Sequence, residues 1–181
     1  MRKVLVVAAL LLFVSGAAMA QDQPKAELFG GYSYLRINPG GGVNGENFPA
    51  GWHASIAGNL NNWFGIAGDF TGHYKTISGV KTKVHSFMFG PRISYRKNDR
   101  ITPFAHVLFG GTHVNAGAFG VGASDNAFSV AIGGGVDAKI NDHFAFRVGQ
   151  FDYVLTRFNI PTISNTQHNF AISTGIVIRF K

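Results

Sequence analysis

The 181-residue sequence predicts an all-β fold, an eight-stranded antiparallel up-and-down transmembrane β-barrel, with an N-terminal signal peptide ahead of it. Three observations predict it. Successive segments alternate apolar and polar side chains with period two over the lengths that a membrane-crossing strand needs. The connections between them alternate short and long in strict order. Charged residues make up only 14% while Gly (24) and Phe (17) are abundant, and beyond the leader no apolar run is long enough for a spanning helix.

The leader is set aside first. Arg2 and Lys3 form a charged n-region, Val4 to Val14 an apolar stretch of about eleven residues, and Ala18-Met19-Ala20 an A-x-A cleavage site. That stretch is too short to cross a bilayer as a helix. Cleavage after Ala20 leaves residues 21–181 as a single barrel domain. The chain has no cysteine, so its stability must come from something other than disulfides. Closure of a barrel in lipid supplies it, because every strand edge is then paired.

Eight segments follow in order. Ala26 to Ile37 sets Leu28, Tyr32 and Tyr34 against Glu27, Gly31 and Ser33. Gly51 to Asn59 sets Trp52, Ala54 and Ile56 against His53, Ser55 and Ala57. Trp63 to Lys75 opposes Phe64, Ile66, Phe70 and Tyr74 to Gly65, Ala67, Asp69, Thr71 and His73. Lys83 to Arg96 alternates most cleanly, with Phe87, Phe89, Ile93 and Tyr95 opposite Ser86, Gly90, Arg92 and Ser94. Ile101 to Val114 separates Ala105, Val107 and Phe109 from Thr102, His106, Gly110 and Thr112. Asn126 to Lys139 separates Phe128, Val130, Ile132 and Val136 from Ser129, Ala131, Gly133 and Asp137. His143 to Phe158 begins with Phe144, Phe146 and Val148 out and Arg147 in, and then slips phase at Gln150 and Asp152. Either a β-bulge near Gly149 restores it or those residues lie above the hydrocarbon. His168 to Lys181 carries Phe170, Ile172, Ile176, Ile178 and Phe180 on one face and small or polar residues on the other.

Short connections fall at residues 60–62, 97–100 and 140–142, where Asn and Asp suit turns. Long ones fall at 38–50, 76–82, 115–125 and 159–167, rich in Gly, Asn, Ser and Thr. All long ones land at one end, the layout of periplasmic turns and extracellular loops, and an even strand number puts both termini on the periplasmic side.

The stretch from Ala26 to Tyr34, Pro103-Phe104, Asp152-Tyr153 and the run Gly175 to Phe180 together resemble the small OmpA/OmpX-type barrels of the outer membrane β-barrel protein superfamily. The resemblance spans the whole region after the leader and implies residence in the cell outer membrane. It further implies that the barrel assembly machinery reads a C-terminal signal, here Phe170, Ile176, Ile178 and Phe180. Lys181 makes the aromatic penultimate, a departure from the usual terminal aromatic.

An eight-stranded barrel is just wide enough for side chains to fill it. The inward set holds Glu27, Asp69, Arg92, Asp137, Arg147 and Arg179, with Lys139, His53, His73 and His106 beside them. Buried charges need partners, so Arg92, Arg147 and Arg179 are expected to pair with Glu27, Asp69 and Asp137 and plug the lumen. A narrow pore built from the same groups is the alternative. A second is a soluble, lipocalin-like barrel, in which the faces are exchanged.

Enzyme chemistry is not expected. The seven histidines show no metal-ligand spacing, so no metal or cofactor is implied. His168 and Ser173 fall on opposite faces and no acid follows them. The Gly40–Gly42 and Gly133–Gly135 triplets lack the Lys-Ser/Thr of a phosphate loop. In the second, glycine admits curvature or a bulky neighbour such as Phe104 or Trp63. Net charge is +7 with scattered basic residues, which argues against a nucleic-acid surface; outer membrane lipid and lipopolysaccharide stand ahead of it as the counter-charge, and plain solubility of the loops ahead of both. The expected role is structural or surface interaction, through four extracellular loops.

Overall fold

Alternation of this kind lets each strand pair on both edges while one face meets lipid and the other fills the interior. The computed structural model describes residues 23–38, 44–77, 79–118, 121–160 and 163–181. The strands are β1 (Ala26–Ile37), β2 (Glu46–Phe48), β3 (Ala50–Asn59), β4 (Phe64–Ile77), β5 (Val80–Ser94), β6 (Ile101–Ala118), β7 (Val121–Lys139), β8 (Phe144–Ile160) and β9 (Ile163–Phe180). Each pairs antiparallel with its neighbour, and β1 also pairs with β9 from Ala26↔Phe180 to Arg36↔Phe170, which closes the barrel. The proposed leader lies outside the described residues, as does the Gly40–Gly42 triplet.

β2 and β3 are one stave interrupted at Pro49. Leu35 pairs with Phe48 but Tyr32 with Trp52, so the second stave carries one extra residue between them. Proline has no N–H for the ladder, and the bulge falls there. Parity changes with it: Phe48 and His53 both turn inward.

The three short turns share one device. Asn61 Oδ1 accepts from the N–H groups of Trp63 and Phe64 at 3.0 and 2.7 Å, Asn98 Oδ1 from Arg100 and Ile101 at 2.8 and 3.2 Å, and Asn141 Oδ1 from His143 and Phe144 at 2.9 and 2.8 Å. At the other end the strands run further than hydrophobic alternation indicates. β4 and β5 reach Ile77 and Val80, with Gly79 at φ +85° in the turn, and the β6–β7 ladder continues to Ala118↔Val121. Above the lipid both faces meet water, so the polar composition of 115–125 reads as loop although 115–118 and 121–125 are ladder.

The outer surface is the apolar one. Ile56, Phe89, Ile132, Val148 and Phe151 are 50–62% exposed, while Arg147, Gln150, Asp137 and Glu27 are at most 2% exposed inside. This overturns the soluble-barrel alternative, which requires the reverse. At mid-height Leu108 and Met88 meet Ala57, Ala67, Ala131 and Val154 from the facing staves. Small residues there leave room for the two long ones.

Candidate functional site

The functional candidate is the lumen. Its base, at the short-turn end, is built from residues that strand parity turns inward: Glu27, Arg92, Arg96, Asp137, Arg147 and Arg179. Glu27 sits among three guanidiniums. Arg92 lies 3.0 Å from Oε2 as an ion pair without hydrogen-bond alignment, Arg96 donates to Oε1 at 3.0 Å, and Arg179 Nε lies 3.5 Å from Oε1. Arg92 also reaches Asp137 at 3.4 Å. Arg147 meets both oxygens of Asp137, at 2.8 and 3.1 Å.

Aromatic rings separate the cations. The Arg147 guanidinium lies 4.2 Å from the Phe29 ring centre and 4.4 Å from that of Phe104, and Arg92 lies 4.2 Å from Phe104. Each such contact contributes about 2 kcal/mol when desolvated. Phe104 in turn needs Gly135: a Cβ there would stand 2.9 Å from the ring and 2.4 Å from the Gly149 carbonyl. Of the two bulky neighbours expected beside that triplet, Phe104 is present and Trp63 lies in the short turn before β4, 54% exposed.

Above this base the groups become neutral or mixed. Arg147 donates to Gln150 Oε1 at 2.6 Å, and Gln150 donates to Asp152 at 2.7 Å and to Asp69 at 3.4 Å. Gln150 and Asp152 reach the interior because β8 is bulged. Arg147 pairs with Gly175 and Gln150 with Ser173, so Val148 and Gly149 together occupy one outward step. Of the two explanations for the phase slip, the structure has the bulge. Thr174 Oγ1 donates to the Arg147 carbonyl at 2.8 Å beside it.

Asp69 takes His53, not an arginine, as its near partner, at 3.0 Å from Nε2. Asp152 takes His106 at 2.7 Å. Lys139 stands at the rim and pairs with Asp142 at 2.7 Å, outside the buried network. Sequence reasoning missed Arg96, Gln150, Asp152 and the pairing role of two histidines. Even parity along the segment ending at Arg96 was the signal for the first.

His53 Nδ1 lies 3.0 Å from Ser173 Oγ, so Ser173, His53 and Asp69 form a serine–histidine–acid line that spacing did not disclose. Ser173 Oγ continues to Ser33 Oγ at 3.1 Å, and His73 Nε2 lies 3.0 Å from the same Ser33 hydroxyl. A nucleophilic serine needs N–H groups aimed at a developing oxyanion. Here the surrounding backbone is ladder, with Ser33↔Ser173 paired between β1 and β9. The line can hold strands together.

The cavity above, between Leu35, Val84, Met88 and Val114, leaves about 40 Å³ for the centres of water molecules, room for a few waters. A row of hydroxyls runs along its wall from β5 to β8: Ser86–Thr112 at 2.9 Å, Thr112–Ser129 at 2.8 Å and Ser129–Thr156 at 3.3 Å.

Comparison with known proteins places this geometry. The outer membrane protein beta-barrel domain family matches residues 6–180. No curated protein matches the chain. Among solved structures it is similar to Neisserial surface protein A (12% identity, TM-score 0.73, 86% of this chain and 97% of that one). It is also similar to Ail, the attachment invasion locus protein of Yersinia pestis (19%, 0.60, 86% and 99%), and to the N-terminal barrel domain of Pseudomonas aeruginosa OprF (10%, 0.53, 87% and 99%). At these identities the likeness concerns the fold.

Proposed function

Since the chain belongs to the outer membrane protein beta-barrel domain family and resides in the cell outer membrane, we propose that it works there as a structural or surface-interaction protein with a plugged lumen, not as an enzyme or a pore. One observation carries the reading. The chain Arg96–Glu27–Arg92–Asp137–Arg147–Gln150 links β1, β5, β7 and β8 across the interior, with Phe29 and Phe104 packed between the guanidiniums. A pore would need those groups parted. What remains to act on the surroundings is the hairpin end, where β6 and β7 extend beyond the apolar band. Ail has been solved in complex with a heparin analogue, sucrose octasulfate, and a surface role of that general kind suits a barrel with a closed interior.

The remaining parts follow from the same reading. Phe170, Ile176, Ile178 and Phe180 stand exposed on the outer face of β9, where an assembly machine can read them before closure against β1. Lipopolysaccharide and other outer membrane lipid cover the apolar wall. Residues 1–20 serve as a leader, and the mass of the mature protein is expected to begin at Gln21. Planar-bilayer recording tests the plug: the folded protein is expected to give no conductance steps, and stable steps would replace the plug with a pore.

A further inference from the structure

The outer wall of β4–β7 carries a feature that the lumen does not explain. Register aligns three outward rows across it. The middle row is Trp52↔Gly72↔His85↔His113↔Asn126, and below it lies Ala54↔Phe70↔Phe87↔Gly111↔Phe128. Above it lies Ala50↔Tyr74↔Lys83↔Asn115↔Ser124, with exposed Lys81 one row higher. Aromatics thus give way to imidazoles and then to ammonium groups, as the wall passes from hydrocarbon to water.

We propose that this surface binds one phosphorylated lipid of the outer leaflet, with the chemistry of lipid A: its phosphate on Lys83, His85 and Asn126, and an acyl chain in the groove over Gly111. The groove exists because Gly111 puts no side chain between Phe87 and Phe128. A Cβ built there meets only the Ala127 carbonyl oxygen, at 3.7 Å. Phe70 and Phe87, with ring centres 4.9 Å apart, form one wall. Trp52, whose indole lies across Gly72, continues it upward.

Hydrogen bonds set which groups point outward as donors. Trp52 Nε1 donates to Tyr74 Oη at 3.2 Å, and Tyr74 Oη lies 3.1 Å from His85 Nε2. With the tyrosine proton on that nitrogen's lone pair, His85 presents an Nδ1–H. His113 Nδ1 donates to Asn126 Oδ1 at 2.8 Å, which turns the Asn126 amide N–H groups away from it. Lys83 adds a full charge two residues from His85, about 7 Å along the strand. Among the described residues no carboxylate belongs to these rows. Asp125, the nearest on β7, pairs with Val114 on lumen parity. Asp125 is itself exposed, and its carboxylate accepts the Asn126 backbone N–H at 2.8 Å. A phosphate here meets the His85 and Asn126 side-chain donors and the Lys83 charge, with that one acid turned onto the backbone.

The test uses the folded full-length barrel in phosphatidylcholine nanodiscs doped with diphosphorylated lipid A or with its dephosphorylated form, read by native mass spectrometry. One lipid A per barrel is expected to be retained, with retention about tenfold weaker for the dephosphorylated lipid and for K83Q/H85Q. Gly111→Leu fills the groove while leaving every donor in place, and the same loss is expected. A boiling-sensitive folded band checks each variant, and K83Q/H85Q decides alone if Gly111→Leu does not fold. Equal retention of both lipids, or wild-type retention in the variants, overturns the site. So does a dimer that Gly111→Leu abolishes without loss of lipid A, which would assign the groove to a second copy of the chain.

Discussion

Asp137 and Arg147 face one another across the β7–β8 ladder, and the guanidinium engages both carboxylate oxygens in a site no more than 2% exposed. Such a pair is worth little against an apolar pair of the same volume, yet breaking it on one side leaves a bare charge. Arg147→Leu is therefore expected to lower stability by about 3–5 kcal/mol. The double variant Asp137→Leu/Arg147→Leu is expected to recover a large part of that loss. Urea unfolding in lipid vesicles, followed by the fluorescence of exposed Trp52 and Trp63, measures both.

Glu27 is the counter-charge that Arg92, Arg96 and Arg179 share. Replacing it with Gln leaves three cations facing each other in the base of the lumen. Its urea midpoint is expected to fall by the equivalent of about 3–5 kcal/mol. Planar-bilayer recording of the same variant is expected to show brief anion-selective steps that the wild type lacks.

The bulge in β8 makes a sharp distinction between neighbouring deletions. Removing Val148 joins Arg147 to Gly149 and restores plain alternation, with Gln150 still inward. Removing Phe151 instead turns Asp152, Val154 and Thr156 to the lipid. The first deletion is expected to keep the heat-shifted folded band in gels and the second to lose it.

Phe180 pairs with Ala26 at the closing seam and stands 46% exposed. Phe180→Ala is expected to lower the amount assembled in cells several-fold while leaving spontaneous refolding in detergent nearly unchanged. Comparing outer-membrane yield with refolded yield checks this. Parallel losses in both would assign the ring to packing alone.

Asp142, in the last short turn, has its carboxyl held below the ordinary 3.8 by the hydrogen bond from Lys139 and then by the charges of Lys139 and Lys181. A depressed folded value means that its stabilising contribution is present above pH 3.8 and is lost as pH falls through the lower, folded value. Lys139→Gln is expected to move the Asp142 titration, followed by carboxyl carbon NMR, back toward 3.8.

Alternation made the barrel legible because lipid outside and packed polar groups inside impose opposite chemistry on successive residues. It sorted Glu27, Arg92, Asp137 and Arg179 to the interior. It could not choose their partners, since matching acids to arginines by number ignores which staves lie close. Ser55↔Asp69 and His53↔Thr71 are neighbouring rungs, and that diagonal gives Asp69 to His53. Ser173 joins the same line from β9, 120 residues away from His53, and only closure brings them together. The hairpin walls beyond the lipid were read as loops because water on both sides removes the contrast that marks a strand.

The seam between β1 and β9 has a consequence for chain order. The Lys25 N–H donates to the Phe180 carbonyl at 2.7 Å, so the two ends of the wall touch. A short linker from residue 181 to residue 23, with new termini cut in the Asn98 turn, would yield a circular permutant with every rung of the ladder intact. In the finished barrel no strand is first or last. Sequence order then matters to the route by which the wall is laid down, and a permutant that refolds in detergent but stalls in the cell would separate architecture from itinerary.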